Sequence, residues 1–275
     1  MSDVTDSAFR QIIAQYGKPD VFFTEFVSVA GLCSEGKKKV LENLHYTKKE
    51  KPIVAQLWGS KPEQFYKSAR LIETLGFDGI DINMGCPEKN VIKQGGGAAL
   101  IKESNLAVKI IRETMRGAGH LPVSIKTRLG YNTNVIEDWI KILLAAEPAV
   151  ITIHGRTRKQ MSKVPADWKS ITKAVKLRNQ MKSRTLIIGN GDIDSLEDAK
   201  KRITLSGVDG IMVGRGVFGN PWLFNPKVDR KKLPIEKQLK VMVEHAQLFE
   251  KLYSRKKNFD VMKKHFKAYA SGFDG

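Results

Sequence analysis

GFDGIDINMGCPEKNVIKQGGGAAL, residues 76–100, begins like a short buried strand and continues as a glycine-rich loop. Gly76 is a typical helix stop, and the apolar run over residues 79–83 predicts a strand. The loop that follows contains Asn83, Cys86, a proline and three consecutive glycines. In α/β proteins the carboxyl ends of parallel strands carry the functional groups, so this loop is a candidate for part of a site.

Six further segments have the same apolar character, and helical patterns alternate with them. They are residues 21–28, 52–57, 122–126, 150–154, 185–189 and 210–213. Each is continuously apolar rather than alternating, which predicts parallel strands that are buried on both faces. Among the helices, Ser60 and Glu63 have capping-box spacing, and Asp194 or Ser195 is expected to cap a helix that ends near Arg202.

The alternation of seven strands with helices predicts an α/β fold, namely a TIM (β/α)8 barrel whose first strand is missing. That fold has eight strands in typically about 250 residues. The missing strand would precede residues 3–10, which already have the pattern of a turn and a helix. After about Asn225 the chain turns helical, with one apolar stripe at Ile235, Leu239, Met242, Ala246 and Phe249 and another at Met262, Phe266 and Tyr269. We therefore predict a barrel domain over residues 1–228 and a helical domain over residues 229–275.

The charge of the chain predicts a polyanionic partner. Lys and Arg number 47 against 29 Asp and Glu, a formal net charge of +18. The predicted helical domain has about twice the charge density of the whole chain. Nucleic acid is the partner that such a field favours, and a solvated lysine-rich surface is the alternative.

The hydrophobic and cysteine content restricts the class of protein further. The 275 residues are 41% hydrophobic, with no 18-residue apolar run and no secretory signal pattern at the start, so no membrane span is predicted. Two cysteines 53 residues apart make no disulfide framework, which favours a reducing cytoplasm. The absence of a CxxC or HxxxH pair argues against a protein-bound zinc. We infer no stable protein partner.

Polar and basic side chains follow the predicted strands, where a barrel places its active site. In chain order they are Gln56; Asn83 and Cys86; Lys126 and Arg128; His154, Arg156 and Arg158; Asn190, Gly191 and Asp192; and Gly214 and Arg215. The glycines after the last two strands let backbone N–H groups approach a phosphate, and Arg215 can add a bidentate contact, although glycines there can also be simple turns. Lys126 could hold negative charge on the pyrimidine edge of a flavin, and His154 could do the same or contact a substrate.

Cys86 has two possible chemical roles. Lys89 and Lys93 lie near it in sequence and would lower its pKa, which favours a thiolate nucleophile. A neutral thiol could instead donate a proton. Residue types alone leave both roles open. Cys33, in VAGLCSEG, has the character of a small buried hydrophobe.

Seven stretches, taken together and in order, resemble the tRNA-dihydrouridine synthase family. They are VTDSAFR (4–10), VAQLWG (54–59), DGIDINMGCPEKNVIKQGGGAALIK (78–102), SIKTRLG (124–130), ITIHGRTR (151–158), IIGNGDI (187–193) and VDGIMVGRGVFGNPWLF (208–224). Two departures accompany the resemblance. The family starts with a strand ending in Ala-Pro-Met, where this chain has only Met1, and its helical domain continues beyond the point where this chain stops, so both ends are expected to be clipped.

The resemblance implies an FMN-bound barrel that uses NADPH to reduce the uracil 5,6 double bond in tRNA. It implies hydride transfer to C6 and protonation of C5 by Cys86, with Lys126 and His154 also catalytic. The implied flavin contacts are Gln56, Asn83, Lys126, His154, Asn190, Gly191, Asp192, Gly214 and Arg215. The implied tRNA contacts are Asn83, Arg128, Arg156 and Arg158. The alternatives are an FMN barrel acting on a free small molecule and a non-catalytic or truncated tRNA-binding relative.

Overall fold

A computed structural model describes residues 4–254 and 256–271. All seven predicted strand segments enter one parallel sheet, and the first of them forms two short pieces. The strands are β1 (Phe22–Phe23), β2 (Val27–Ser28), β3 (Ile53–Trp58), β4 (Gly79–Met84), β5 (Val123–Arg128), β6 (Val150–His154), β7 (Leu186–Asn190) and β8 (Gly210–Met212). The order is β1-β3-β4-β5-β6-β7-β8, with β2 also paired to β3.

Helices precede, connect and follow these strands, and those between strands cover the outside of the sheet. They are α1 (Ser7–Tyr16), α2 (Val29–Leu32), α3 (Lys37–Leu41), α4 (Pro62–Thr74), α5 (Lys89–Lys93), α6 (Ser104–Gly117), α7 (Ile136–Leu144), α8 (Trp168–Gln180), α9 (Leu196–Ser206), α10 (Ile235–Tyr253) and α11 (Met262–Tyr269). The sheet is therefore a curled half-barrel of the TIM-barrel type. Within residues 4–254 and 256–271, no ladder joins β8 to β1.

The N-terminal caps of the helices can be compared with the caps predicted from the sequence. Asp6 caps α1 through Phe9 N–H at 3.0 Å, as the predicted turn and helix require, although Asp3 lies outside the described residues. Ser195, rather than Asp194, caps α9. The capping box at Ser60 is wrong, because its hydroxyl donates to the Gln94 carbonyl at 2.8 Å and α4 begins at a proline without a side-chain cap.

The two faces of the sheet have opposite character. Outward residues such as Ile80, Ile82 and Met84 are fully buried against the helices and form the main core. Inward residues on neighbouring strands are polar, for example Gln56 and Lys126, and line a cavity. The expectation of continuously apolar strands is thus wrong for the inner face, where the side chains surround an interior space rather than a packed centre.

The two C-terminal helices pack against α1. Ser7 N–H donates to the Tyr253 hydroxyl at 3.1 Å, and the Phe9 ring lies against a pair of buried histidine rings, His245 and His265, whose centroids are 4.7 Å apart. The buried stripe of α10 runs through Gln238, Val241, His245, Phe249 and Tyr253, so of its five predicted positions only Phe249 is fully buried. No helix in the described ranges is long and apolar enough to cross a membrane.

Candidate active site

The half-barrel surrounds a cavity of about 1180 Å³, which runs from the amino ends to the carboxyl ends of the strands. Every predicted site residue except Arg158 lines it. This clustering follows from the pleat: Gln56 and Lys126 occupy inward positions in the carboxyl halves of β3 and β5, and His154 ends β6, while their sequence neighbours point to the helices. The cavity is therefore the candidate active site.

A buried hydrogen-bond network forms one wall of the cavity. Gln56 donates to Asp81 at 2.7 Å and accepts from the Asn83 amide at 3.0 Å. Ser124 donates to the other oxygen of Asp81 at 2.6 Å. Burial raises the pKa of Asp81 to about 6, even though these hydrogen bonds and the charge of Lys126 oppose the rise. The network fixes the Asn83 side chain, which in turn shapes the next loop.

That loop holds Cys86 in a defined position. Asn83 Oδ1 accepts from the backbone N–H groups of Gly85 at 3.1 Å and Cys86 at 2.9 Å. The Cys86 carbonyl accepts from Ala98 N–H at 3.0 Å. Gly97 sits beneath it with φ +57°, and a Cβ there would lie 2.8 Å from the Cys86 carbonyl oxygen. The glycine cluster of the sequence therefore allows the two loop segments to pack closely around the cysteine.

The environment of Cys86 favours the protonated thiol. Burial raises its pKa, and the carboxylate of Glu88 adds to that effect. The Glu88 backbone N–H and the charges of Arg128 and Lys126 oppose it without reversing it. The sequence-based expectation that Lys89 and Lys93 would lower the pKa of Cys86 is therefore wrong in its net result, because burial outweighs the cations that act on the thiol, which are Arg128 and Lys126. Of the two roles left open above, proton donation fits this environment.

Lys126 faces the same cavity from β5. Its Nζ donates to Asn190 Oδ1 at 3.2 Å, and the Asn190 amide donates to the Met212 carbonyl at 2.8 Å. Burial, with the charge of Arg128, lowers the pKa of Lys126 to about 8. The ammonium group is thus held in the cavity by Asn190, and it is less basic than a lysine in water.

Arg128 is fully engaged with backbone carbonyls. Its Nε donates to Gly85 at 2.7 Å, and its Nη1 donates to Thr157 at 3.1 Å and Met161 at 3.2 Å. These bonds tie the Cys86 loop to the loops after β5 and β6. The side chain is 8% exposed. This geometry makes Arg128 a clamp between loops.

Arg156 is also buried and holds an ionic group together. It pairs with Asp192, which accepts in addition from Ala166 N–H at 2.8 Å and from Arg215 at 3.0 Å. Burial alone would raise the pKa of Asp192, but the hydrogen bonds from Arg156 and Ala166 N–H and the charges of Arg156 and Arg215 lower it overall. His154 Nε2 lies 3.1 Å from Arg156 Nη1. Burial moves the pKa of His154 far below its usual value, and the charges of Lys126, Arg128 and Arg156 add to this shift. His154 is therefore a neutral ring.

The remaining predicted residues lie at the open side of the cavity. Gly191 has φ +125°, and a Cβ there would approach Ala166 and His154, so this turn requires glycine. A Cβ on Gly214 would meet nothing within 4 Å. The Arg215 side chain is 64% exposed. Arg158 does not line the cavity; it lies against the Tyr131 ring, two residues after Arg156, which does line it.

Sequence reasoning missed Asp81 and Ser124. Both lie mid-strand at inward positions, two residues before Asn83 and Lys126 respectively. The period-2 spacing from the predicted strand-end residues was the signal that could have identified them.

Comparisons with known proteins identify the family of the chain. The dihydrouridine synthase family matches residues 1–275. Among curated proteins, the probable tRNA-dihydrouridine synthase of Staphylococcus aureus (strain MRSA252) is 40% identical over 282 residues, covering 100% of this chain and 84% of that protein. The probable tRNA-dihydrouridine synthase 2 of Bacillus subtilis (strain 168) is 42% identical over 280 residues, with the same coverage. The chain belongs to the dihydrouridine synthase family.

Solved structures resemble the chain in fold. Histamine dehydrogenase from Rhizobium sp. 4-9 superposes with a TM-score of 0.58 at 13% identity, covering 90% of this chain and 46% of that one. A mutant of morphinone reductase in complex with tetrahydroNAD gives a TM-score of 0.55 at 15% identity, covering 80% and 81%. At such identities the resemblance establishes the TIM-barrel type of fold.

Proposed function

We propose that the chain catalyses the flavin-dependent reduction of uridine in tRNA to dihydrouridine, with FMN as cofactor and NADPH as reductant. The observation that carries the proposal is a partly buried thiol, Cys86, facing the same cavity as the buried ammonium of Lys126. A proton donor and a fixed cation beside one cavity suit the addition of hydride and proton across a polarised double bond. Family membership and the relatives' names support the same reaction.

The residues present fit an FMN. The unobstructed space at Gly214 and the exposed guanidinium of Arg215 suit a phosphate at the ends of the last two strands. Gln56, Asn83, Lys126 and Asn190 present amides and an ammonium to the interior, which suits the polar edge of an isoalloxazine. His154, Gly191 and Asp192 complete that side of the proposed pocket. When bound, the cofactor would supply the hydride for C6 of the uracil.

The protein supplies the proton. The raised pKa of Cys86 keeps its Sγ protonated at neutral pH, so it can deliver a proton to C5 as hydride arrives at C6. Asn83 holds the Cys86 loop through two backbone N–H groups and therefore acts as a positioning residue. Lys126 is proposed to stabilise negative charge in the cavity, and neutral His154 to hydrogen-bond the cofactor or the base.

The proposed substrate explains the charge of the chain. A uridine must leave the base stack to enter the cavity, which costs a few kcal/mol, and phosphate contacts elsewhere must offset that cost. The net charge of +18 suits this task. Residues 229–275 are proposed to form a helical tRNA-binding domain, and the cytoplasm is the proposed location. Because Arg128 and Arg156 are occupied within the protein, Arg158 is the arginine of the three best placed for RNA.

Flavin retention is the first test. The purified chain is mixed with FMN, passed through gel filtration and examined by absorbance between about 300 and 550 nm. We expect a flavin spectrum to stay with the protein, and Lys126→Ala to weaken retention or hydride transfer while Lys109→Ala, an exposed residue of α6, does neither. A Lys126→Ala variant that is fully flavinated and fully active would contradict the role of Lys126.

Activity then separates the alternatives. The flavin-loaded protein is supplied with NADPH and either unmodified tRNA or free uracil and uridine, and dihydrouridine is quantified by mass spectrometry. Turnover of tRNA alone is the expected result. Turnover of the free bases would indicate an FMN barrel acting on small molecules, and tRNA binding without flavin would indicate a non-catalytic RNA-binding protein.

A further inference from the structure

Two cations, Lys102 and Arg158, contact one aromatic ring, Tyr131, on segments that adjoin the loops lining the cavity. Lys102 ends the short helical segment Gly97–Lys102 that follows the Cys86 loop, Tyr131 follows β5, and Arg158 follows β6. Lys102 Nζ lies 4.7 Å from the Tyr131 ring centroid, and Arg158 Cζ lies 5.1 Å from it. Both distances are within the range of a cation–π contact. We refer to Lys102, Tyr131 and Arg158 as the rim cluster.

The rim cluster is fixed relative to the Cys86 loop. Arg158 N–H donates to the Gly130 carbonyl at 2.9 Å, and Lys159 N–H donates to the Tyr131 carbonyl at 2.9 Å, so the two loops run side by side. Arg128 clamps both loops to Gly85. Any ligand held at the rim cluster is therefore held at a set position beside the cavity mouth.

The positive charge of the rim cluster is not neutralised within the protein. No carboxylate of the described residues lies within 4.0 Å of the Lys102 or Arg158 nitrogens, and Arg158 Nε is buried without a hydrogen-bond partner there. Another tyrosine–arginine contact differs in this respect. Arg116 lies 4.0 Å from the Tyr66 ring centroid and pairs with Glu113 at 2.6 Å. The charges of Lys102 and Arg158 are therefore each available to pair with an anion.

We infer that the rim cluster binds the sugar-phosphate backbone of the RNA next to the uridine that enters the cavity, with Tyr131 positioning the two cations. This inference rests on the proposed function and adds Lys102 and Tyr131 to it. A phosphodiester is the anion that fits, because the cluster lies beside the mouth and carries charge that single phosphate oxygens can pair with. Single-stranded nucleic acid is commonly held by such combinations of cations and aromatic rings.

The test measures the affinity of the flavin-loaded full chain for a fluorescent unmodified tRNA by anisotropy, between about 50 and 300 mM KCl. Lys102→Ala and Arg158→Ala should each weaken binding about fivefold at 150 mM and reduce the salt slope by about 0.7 to 0.9, as loss of one phosphate contact requires. Tyr131→Ala should weaken binding to a similar extent, whereas Tyr131→Phe should bind normally because it keeps the ring. Tyr66→Ala is the matched control and should not change binding.

The outcomes separate this inference from the proposed function. If the unsubstituted chain binds tRNA and the Lys102 and Arg158 variants keep its affinity and salt slope, only this inference is overturned. If the unsubstituted chain does not bind tRNA, both are overturned. Should Tyr131→Ala lose flavin or solubility, the exposed Lys102→Glu replaces it, with Lys109→Glu as its control. A loss of at least tenfold for Lys102→Glu alone would support the inference, and equal binding by both charge reversals would refute it.

Discussion

Cys86 and Cys33 both follow strands of the same sheet, yet their surroundings differ. Cys86 lies in a loop that Asn83 and the Ala98 N–H hold from two sides, and burial raises its pKa. Cys33 ends the four-residue helix α2, is exposed, and has its Sγ 3.9 Å from the Gln64 carbonyl. The prediction that Cys33 is buried is therefore wrong.

The comparison shows that the chain around a thiol, rather than the charges next to it in sequence, decides what the thiol can do. Lysines follow each cysteine within a few residues. Of the two, only Cys86 lies in a loop whose position is fixed by hydrogen bonds at a strand end and by close packing against a glycine cluster. A protonated thiol at a fixed position is suited to proton donation, and an exposed thiol on a short helix is not.

Replacing each cysteine in turn should give the largest contrast. Cys86→Ala should keep FMN and tRNA binding and lose at least about 100-fold in turnover, because a positioned general acid contributes on the order of 10²–10⁴. Cys33→Ala should stay within about twofold, as an exposed side chain away from the chemistry would. Rates of dihydrouridine formation at saturating tRNA measure both. Unchanged turnover in Cys86→Ala would remove the general-acid role.

Replacing a glycine near each cysteine with alanine should give a smaller difference in stability and turnover between the two sites. Gly97→Ala must adopt φ +57° and meets the Cys86 carbonyl, so we expect a cost of about 1–3 kcal/mol in unfolding free energy and about a tenfold loss of turnover. Gly36→Ala, near Cys33, has φ −72° and a nearest contact of 3.4 Å to Ser34 Oγ, so its change should stay within about 0.5 kcal/mol. Urea unfolding and turnover of both variants test this. Equal stabilities would mean that the loop packing around Cys86 is not needed.

Alkylation should give the smallest and most direct contrast. Iodoacetamide at about pH 8 should modify Cys33 several-fold faster than Cys86, because Cys86 is partly buried and its raised pKa leaves less thiolate. As pH rises, the Cys86 rate should reach its half-maximum above the pH at which a free thiol does. Peptide mass spectrometry over time follows each site. Faster modification of Cys86 at neutral pH would indicate a thiolate and favour the nucleophile role instead.

Sequence reasoning predicted the fold well because the outer face of each strand is apolar. Ile80 and Ile82, for example, are buried against the helices, and this does not depend on which residues occupy the inner face. The site was predictable to the extent that it lies at or near the carboxyl ends of strands, as His154 and Lys126 do. Of the two predicted C-terminal stripes, the one on α11 is confirmed at Met262 and Tyr269, which are buried. The stripe on α10 is fully buried only at Phe249, because the polar residues Gln238 and His245, which an apolar pattern leaves out, are buried there.

The parts that could not be predicted depend on contacts between distant segments. The hydroxyl of Ser60 bonds a carbonyl 34 residues away, which no capping pattern records. Arg128 ends β5 and Arg158 lies on the loop after the neighbouring strand β6, yet one is a buried clamp and the other lies beside an aromatic ring. From sequence spacing, both are predicted to be cations at the mouth of the barrel, and only three-dimensional packing distinguishes their roles.

The ring contact between His245 of α10 and His265 of α11 should make the attachment of the C-terminal helices weaken in acid. Burial lowers the pKa of His245 to about 3 and that of His265 to about 4, while an unfolded histidine titrates near 6.5. The unfolded chain therefore binds more protons below about pH 6.5, and stability should fall on acidification by up to about 1.4 kcal/mol per pH unit for each ring. Melting curves from pH 7.5 to 5 for the wild type and His245→Gln would show this as a steeper decline in the wild type. Parallel curves would mean that the helices stay docked by other contacts.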